Sequence, residues 1–105
     1  MLDARAALAA ANTPIQAASL QRTAEYRPFY PPAARSKGVE GWVDLEFTIS
    51  PEGIPQDLKV REAQPERVFD RAAIESVRRW RFEPVMRNGA PVEQRAQMRV
   101  RFELK

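Results

Sequence analysis

At 105 residues and 44% hydrophobic content, the chain has room for one domain around one small core. It contains no cysteine and no histidine, which removes thiol nucleophiles, imidazole bases, disulfides and structural zinc sites together, so no metal or other cofactor is expected. Seventeen basic against fourteen acidic residues leave a net charge of +3, too little for a dedicated polyelectrolyte binder, and no apolar run is long enough to read as a membrane span or signal peptide.

Asp3 to Ala11 is Ala-rich with an early acidic residue, which favours a short helix that Asn12, Thr13 and Pro14 would stop. So short a helix is marginal alone, and residues 1–25 read as an N-terminal extension or linker ahead of a domain over 26–105. Tyr26 to Pro32 must be extended, because each proline drives the residue before it away from helical geometry. Pro31 and Pro32 then suit the first turn of a short helix through Ala33, Ala34 and Arg35, closed by Gly38.

From Gly41 to Ser50 the residues alternate, with Val43, Leu45, Phe47 and Ile49 on one face and Trp42, Asp44, Glu46 and Thr48 on the other. Ser50-Pro51-Glu52-Gly53 has the chemistry of a hairpin turn, and a second strand, Ile54 to Glu62, follows. Pairing Ser50 with Gly53 sets Val43 against Val60, Leu45 against Leu58, Asp44 against Lys59 and Glu46 against Asp57. The last pair is a like-charge contact that needs a cation, Arg99 or Arg101, from the next strand. Pro55 cannot donate to a ladder, which puts the second strand at an edge.

Glu66 to Arg81 carries Phe69, Ala73, Val77 and Trp80 as one apolar helical stripe, ended by Pro84. After a turn at 87–91, Gln94 to Lys105 alternates again, with Ala96, Met98, Val100, Phe102 and Leu104 inward. The expected fold is α+β: helices packed on one face of a three-stranded antiparallel sheet of order 2-1-3, connected αββαβ. The third strand is then the second edge. It lacks proline from Gln94 onward, which leaves its backbone free to pair with another chain.

Most other signals have structural explanations. Phe69 and Trp80 are core aromatics, whereas Trp42 points away and is expected either under the N-terminal segment, stacked on Arg61, or on a partner surface. Arg78, Arg79 and Arg81 fall where the helix dipole is negative and near Glu75 and Glu83, and the open sheet face offers Trp42 as its one aromatic, so nucleic-acid binding is not expected. Glu46 and Asp57 have no nucleophile or metal-ligand cluster beside them, and no catalytic residue is assigned.

Tyr30-Pro31, Gly41 ahead of an alternating strand, the Ser-Pro-Glu-Gly turn, the run Ala63-Gln64-Pro65-Glu66-Arg67-Val68-Phe69-Asp70-Arg71 and the block Val77-Arg78-Arg79-Trp80-Arg81-Phe82-Glu83-Pro84 resemble the TonB C-terminal domain in order and spacing. The resemblance covers residues 26–105 and implies a small domain with two helices on one face of a three-stranded sheet. It further implies a periplasmic domain tethered to an inner-membrane helix outside this chain, working with ExbB and ExbD. Such a domain couples proton-motive force to uptake of siderophores, haem or cobalamin by engaging the TonB box of TonB-dependent outer-membrane receptors.

Strand addition to the last strand is the binding mode the resemblance implies, which makes Gln94, Arg95, Ala96, Gln97, Met98, Arg99, Val100 and Arg101 the docking residues. Arg27, Pro28, Tyr30, Pro31 and Arg35 flank them as contacts for the receptor plug. Ala33 stands where family members often carry arginine, and Arg27 precedes Pro28 where glutamine is common, so receptor choice is not implied. A homodimer remains open. A stand-alone signalling or scaffolding module reusing this fold is the alternative from a different functional class.

Overall fold

In the computed structural model the described residues are 13–104, so the helix expected over 3–11 lies outside them. The elements are β1 (Ile15–Gln16), a 3₁₀ turn (Ala17–Ser19), β2 (Arg22–Ala24), α1 (Pro32–Ser36), β3 (Gly41–Ile49), β4 (Pro55–Gln64), α2 (Asp70–Arg78), β5 (Arg81–Phe82), β6 (Val85–Arg87), β7 (Ala90–Val92) and β8 (Gln94–Phe102).

The main sheet has the order β4-β3-β8-β1. Its first three strands reproduce the order expected from the connections, antiparallel throughout, with β3 paired to β8 from Gly41↔Phe102 to Ile49↔Gln94 without a break. The fourth strand corrects the three-stranded expectation. β1 lies parallel to β8, with Ile15 opposite Ala96 and Gln16 opposite Gln97, so the edge expected to be free is occupied at those two residues. A two-residue strand is too short to show periodicity in sequence, yet unpaired ladder groups on β8 are enough to recruit it.

Residues 13–25, read from sequence as extension or linker, therefore lie against the domain. β2 pairs with β5. The Gln21 carbonyl accepts from the Glu83 amide at 3.0 Å. The Tyr26 carbonyl accepts from Trp80 Nε1 at 2.8 Å and also from the Ser76 hydroxyl.

The β3–β4 register also departs from the expected one. Leu45 faces Val60, Val43 faces Ala63 and Glu46 faces Lys59, because β4 carries irregularities at two places that let it advance past β3. Asp57, at φ 54°, lies in the stretch between the Glu46 and Thr48 pairs, and aspartate tolerates this left-handed geometry better than most residues. The like-charge pair Glu46–Asp57 therefore never forms. The turn before β4 is as expected: Gly53 N donates to Ser50 O at 2.8 Å and Ser50 N to Ile54 O at 2.9 Å. Gly53 sits at φ 85°, and a Cβ there would meet Phe82 O at 1.9 Å, so both the turn and the close approach require glycine.

The core lies between the sheet and α2. Val43, Leu45, Phe47 and Ile49 from β3 are buried against Ala96, Met98, Val100 and Phe102 from β8 on the same face. Above them sit Phe69, Ala73 and Val77, with Trp80 and Phe82 just beyond the helix. The helix is shorter than the stripe suggests, starting at Asp70, but every stripe residue is buried. Aromatic rings run through this layer: Phe69 stacks on Phe102 at 4.4 Å between centroids, and Phe47 on Phe82 at 6.0 Å. Trp80 adds its indole hydrogen bond to Tyr26 and an Arg22 guanidinium 4.8 Å from its ring. Replacing it, Trp80→Ala, should cost about 3–5 kcal/mol of unfolding free energy, the usual range for a large aromatic lost from a core. An unchanged melting temperature would refute that packing role.

Candidate functional site

The candidate site is the outer edge of β8 together with the arm that leads into α1. On β8 the side chains divide by alternation: Gln94, Ala96, Met98 and Val100 are buried, Arg95 and Gln97 are half-buried, and Arg99 and Arg101 are exposed. The inward residues can therefore offer a partner only their backbone, while the outward residues lie on the polar sheet face.

That polar face is a cross-strand ladder of arginines and carboxylates. Arg99 donates from Nε to Asp44 Oδ1 at 2.7 Å and from Nη2 to Oδ2 at 3.0 Å, a bidentate pair that pushes the guanidinium pKa further up. The same guanidinium lies 3.8 Å from the Trp42 ring centroid. Trp42 thus finds its cation on β8 and not in Arg61, one of the three alternatives expected for it, because Arg99 sits diagonally across from it in the register. Glu46 is met by Arg95, which also donates to Thr48 Oγ1 at 2.9 Å, and by Arg61 at 3.4 Å. Arg95 and Arg61, not Arg99 or Arg101, answer the Glu46 charge. Arg61 also donates to the Gln97 side-chain oxygen. Among the described residues no group of three or more Asp, Glu, His or Cys is placed to hold a metal ion.

Gln94 behaves differently from its neighbours. It is 0% exposed, and its Nε2 donates to Thr13 O and Arg95 O, both at 2.9 Å, while Arg87 donates to its side-chain oxygen. Its side chain is committed inside the molecule. Past Gln97 the situation changes: β1 pairs only at Ala96 and Gln97, and the β8 segment from Met98 to Phe102 has β3 as its one ladder neighbour among the described residues.

The arm reaches β8 through aromatic packing. Tyr30 stands edge-on to Phe69 at 5.5 Å and to Phe102 at 5.9 Å, its hydroxyl donates to Val39 O, and Arg35 lies 5.2 Å from its ring centroid. Pro31 caps α1, where Arg35 N donates to Pro31 O at 2.9 Å. The structure thus brings Tyr30, Pro31 and Arg35 to the end of β8 that β1 leaves uncovered. Arg27 and Pro28 sit earlier, next to Tyr26 on the Trp80 side, with Phe29 beside them 72% exposed. Ile15 and Gln16 are edge residues the sequence did not reveal. The alternation of Ile15 and Ala17 about Gln16 was their only signal, too brief to count.

The family model described as Gram-negative bacterial TonB protein C-terminal matches residues 26–104. The chain belongs to the TonB C-terminal family. The TonB protein of Pseudomonas aeruginosa is 41% identical over 69 residues, 66% of this chain and 20% of that protein, and that of Vibrio cholerae is 30% identical over 82 residues, 78% and 34% respectively. The chain thus spans between a fifth and a third of the length of these relatives. In three dimensions it resembles the solution structure of the P. aeruginosa TonB C-terminal domain, with a TM-score of 0.72, 34% identity and coverage of 82% of this chain and 87% of that one. The Vibrio anguillarum TonB2 structure is similar at a TM-score of 0.62, 34% identity and 81% of each chain. Residues 13–25, which carry β1 and β2, precede the family match.

The Tyr30 environment makes a pH prediction. Burial first, then the nearby Glu40 charge, raise the phenol pKa, partly opposed by Arg35. A raised folded-state value means the neutral phenol favours folding below the unfolded-state pKa of about 10, and that contribution is lost as pH climbs through the folded value. In a Tyr26→Phe background, ultraviolet titration should show Tyr30 ionising later than free tyrosine, with stability declining over the same alkaline range. Titration at the ordinary tyrosine position would contradict this.

Proposed function

We propose that this domain is the partner-binding module of a TonB-type energy transducer, docking an extended segment of an outer-membrane receptor as an added strand on β8. Family membership supports the transducer role, and the observation that carries the docking mode is the ladder edge from Met98 to Phe102, with no second strand beside it among the described residues. The opposite edge is a poorer template. β4 begins at Pro55, which lacks an N–H, and its irregular register disrupts the row of ladder groups.

Strand addition takes affinity from main-chain hydrogen bonds and selectivity from alternate side chains. On the polar side an added strand would run beside Arg99 and Arg101, and at its end lie Tyr30 and Arg35. Arg27, Pro28 and Pro31 are the remaining contacts proposed for the receptor plug. The domain operates in the periplasm, held to the inner membrane by a helix outside this chain, with ExbB and ExbD engaging other parts of the protein. Siderophores, haem or cobalamin are the cargo classes this role entails. No catalytic step and no cofactor belong to it.

About five main-chain hydrogen bonds at a net of about 1 kcal/mol each, against several kcal/mol of association cost, put an isolated receptor peptide at micromolar affinity or weaker. A synthetic peptide bearing a receptor's N-terminal TonB box, titrated into labelled protein, should shift the amides of residues 98–102 by NMR. N-methylation at the alternate peptide positions that face β8 should weaken binding at least about tenfold, since each methyl deletes one main-chain donor. Shifts confined to residues 55–64 would instead place docking on the other edge and overturn the proposal.

A further inference from the structure

We infer that Thr13–Gln16 is a built-in occupant of the docking edge, which a partner strand must displace before it can use the full length of β8. This rests on the strand-addition reading above and adds a regulatory element to it. β1 already does what the partner is proposed to do. It lies on β8 as a parallel strand with Ile15 opposite Ala96 and Gln16 opposite Gln97, and Thr13 O accepts from Gln94 Nε2 at 2.9 Å. One row of backbone groups cannot serve two strands, so an incoming strand that extends past Met98 toward Gln94 competes with β1 for the same donors and acceptors.

The segment's anchorage is uneven, and that is what makes displacement local. From Ala17 onward it is fixed: Ala17 is fully buried, Leu20 N donates to Ala17 O at 3.0 Å, Gln21 O receives Glu83 N, and β2 pairs with β5. Before Ala17 it is held more lightly, with Ile15 only half-buried against the core, Gln16 exposed, two residues in the ladder and Thr13 bonded to Gln94. The chain can therefore peel from Thr13 to Gln16 while the rest stays seated. Charge gives β1 no extra hold, since Thr13, Pro14, Ile15 and Gln16 carry none.

Because the chain has no cysteine, a reversible clamp can be introduced cleanly. Gln16→Cys with Gln97→Cys puts thiols on directly paired residues, and neighbouring strands lie about 4.8 Å apart, within the range a disulfide spans. In the full chain, the oxidised pair should bind the TonB-box peptide at least about tenfold more weakly than the same protein after reduction. In a second variant, Ile15→Asp, which loosens β1 while leaving every residue of β8 unchanged, affinity should rise, by about tenfold if one molecule in ten has the edge open in the wild type. NMR dispersion and melting temperature check that each variant is folded. Equal affinity for oxidised and reduced protein, with amides 94–97 shifting in both, would overturn the inference while leaving docking on β8 intact. Failure of the oxidised disulfide to form would overturn it as well, by separating Gln16 from Gln97. Absence of peptide binding in the wild type and both variants would remove the docking reading itself, and this inference with it.

Discussion

The fold hangs on covering one apolar face of β3. Val43, Leu45, Phe47 and Ile49 are all fully buried, and that is achieved only when β3 is central, flanked by β4 and β8 and roofed by the stripe of α2. Burial of such side chains is worth about 1.5–3 kcal/mol each, so this face outweighs any single polar contact in the domain. Once β3 is central, its neighbours become the edges of the antiparallel core, and the chemistry of those two strands decides where another chain can pair. β4 is spoiled as a template by Pro55 and its irregular register, whereas β8 keeps an unbroken register with β3 over its whole length.

The opposite face of the sheet has a different task. Its arginine–carboxylate pairs join β8 to β3 and β4 through Arg99–Asp44, Arg95–Glu46 and Arg61–Glu46. Half-exposed cross-strand pairs of this kind contribute about 0.2–1 kcal/mol each, too little to determine the fold. What they do is fix the orientation of long side chains beside the proposed docking edge and neutralise carboxylates that would otherwise repel one another. Trp42 is covered in the same way, by a guanidinium already held in place by Asp44.

The stretch from Thr13 to Tyr26 straps this core from the edge of β8 to the Trp80 side of α2, and most of it precedes the residues that define the family. It is held by long-range hydrogen bonds to Gln94, Ser76 and Trp80, by the Arg22 guanidinium over Trp80 and by Ile15, Ala17 and Leu20 packing on the core, with Ala17 as its one fully buried residue. Such a segment adds contacts to the domain without being the source of its core, as the proposed displacement of β1 requires.

Periodicity made β3, α2 and β8 legible, because nine-residue elements with one buried face repeat their pattern often enough to be read. Turn chemistry likewise placed the hairpin at Gly53 and the short helix after Pro31, and the spaced motifs from Tyr30 to Pro84 pointed to the family. The β3–β4 register was not legible, since no local pattern marks the two irregularities of β4, one of them beside Asp57 with its positive φ. Nor could the sequence say that Gln94 would turn inward or that Arg99 would cover Trp42, because both depend on partners far away in the chain. By itself, then, the sequence determined the long elements β3, β4, α2 and β8, their core faces and the family, but not the short strands β1, β2, β5, β6 and β7. Only the tertiary structure decided how much of the β8 edge β1 takes up, because pairing between Ile15–Gln16 and Ala96–Gln97 is a contact between backbones over two residues, too short to leave a pattern in the sequence.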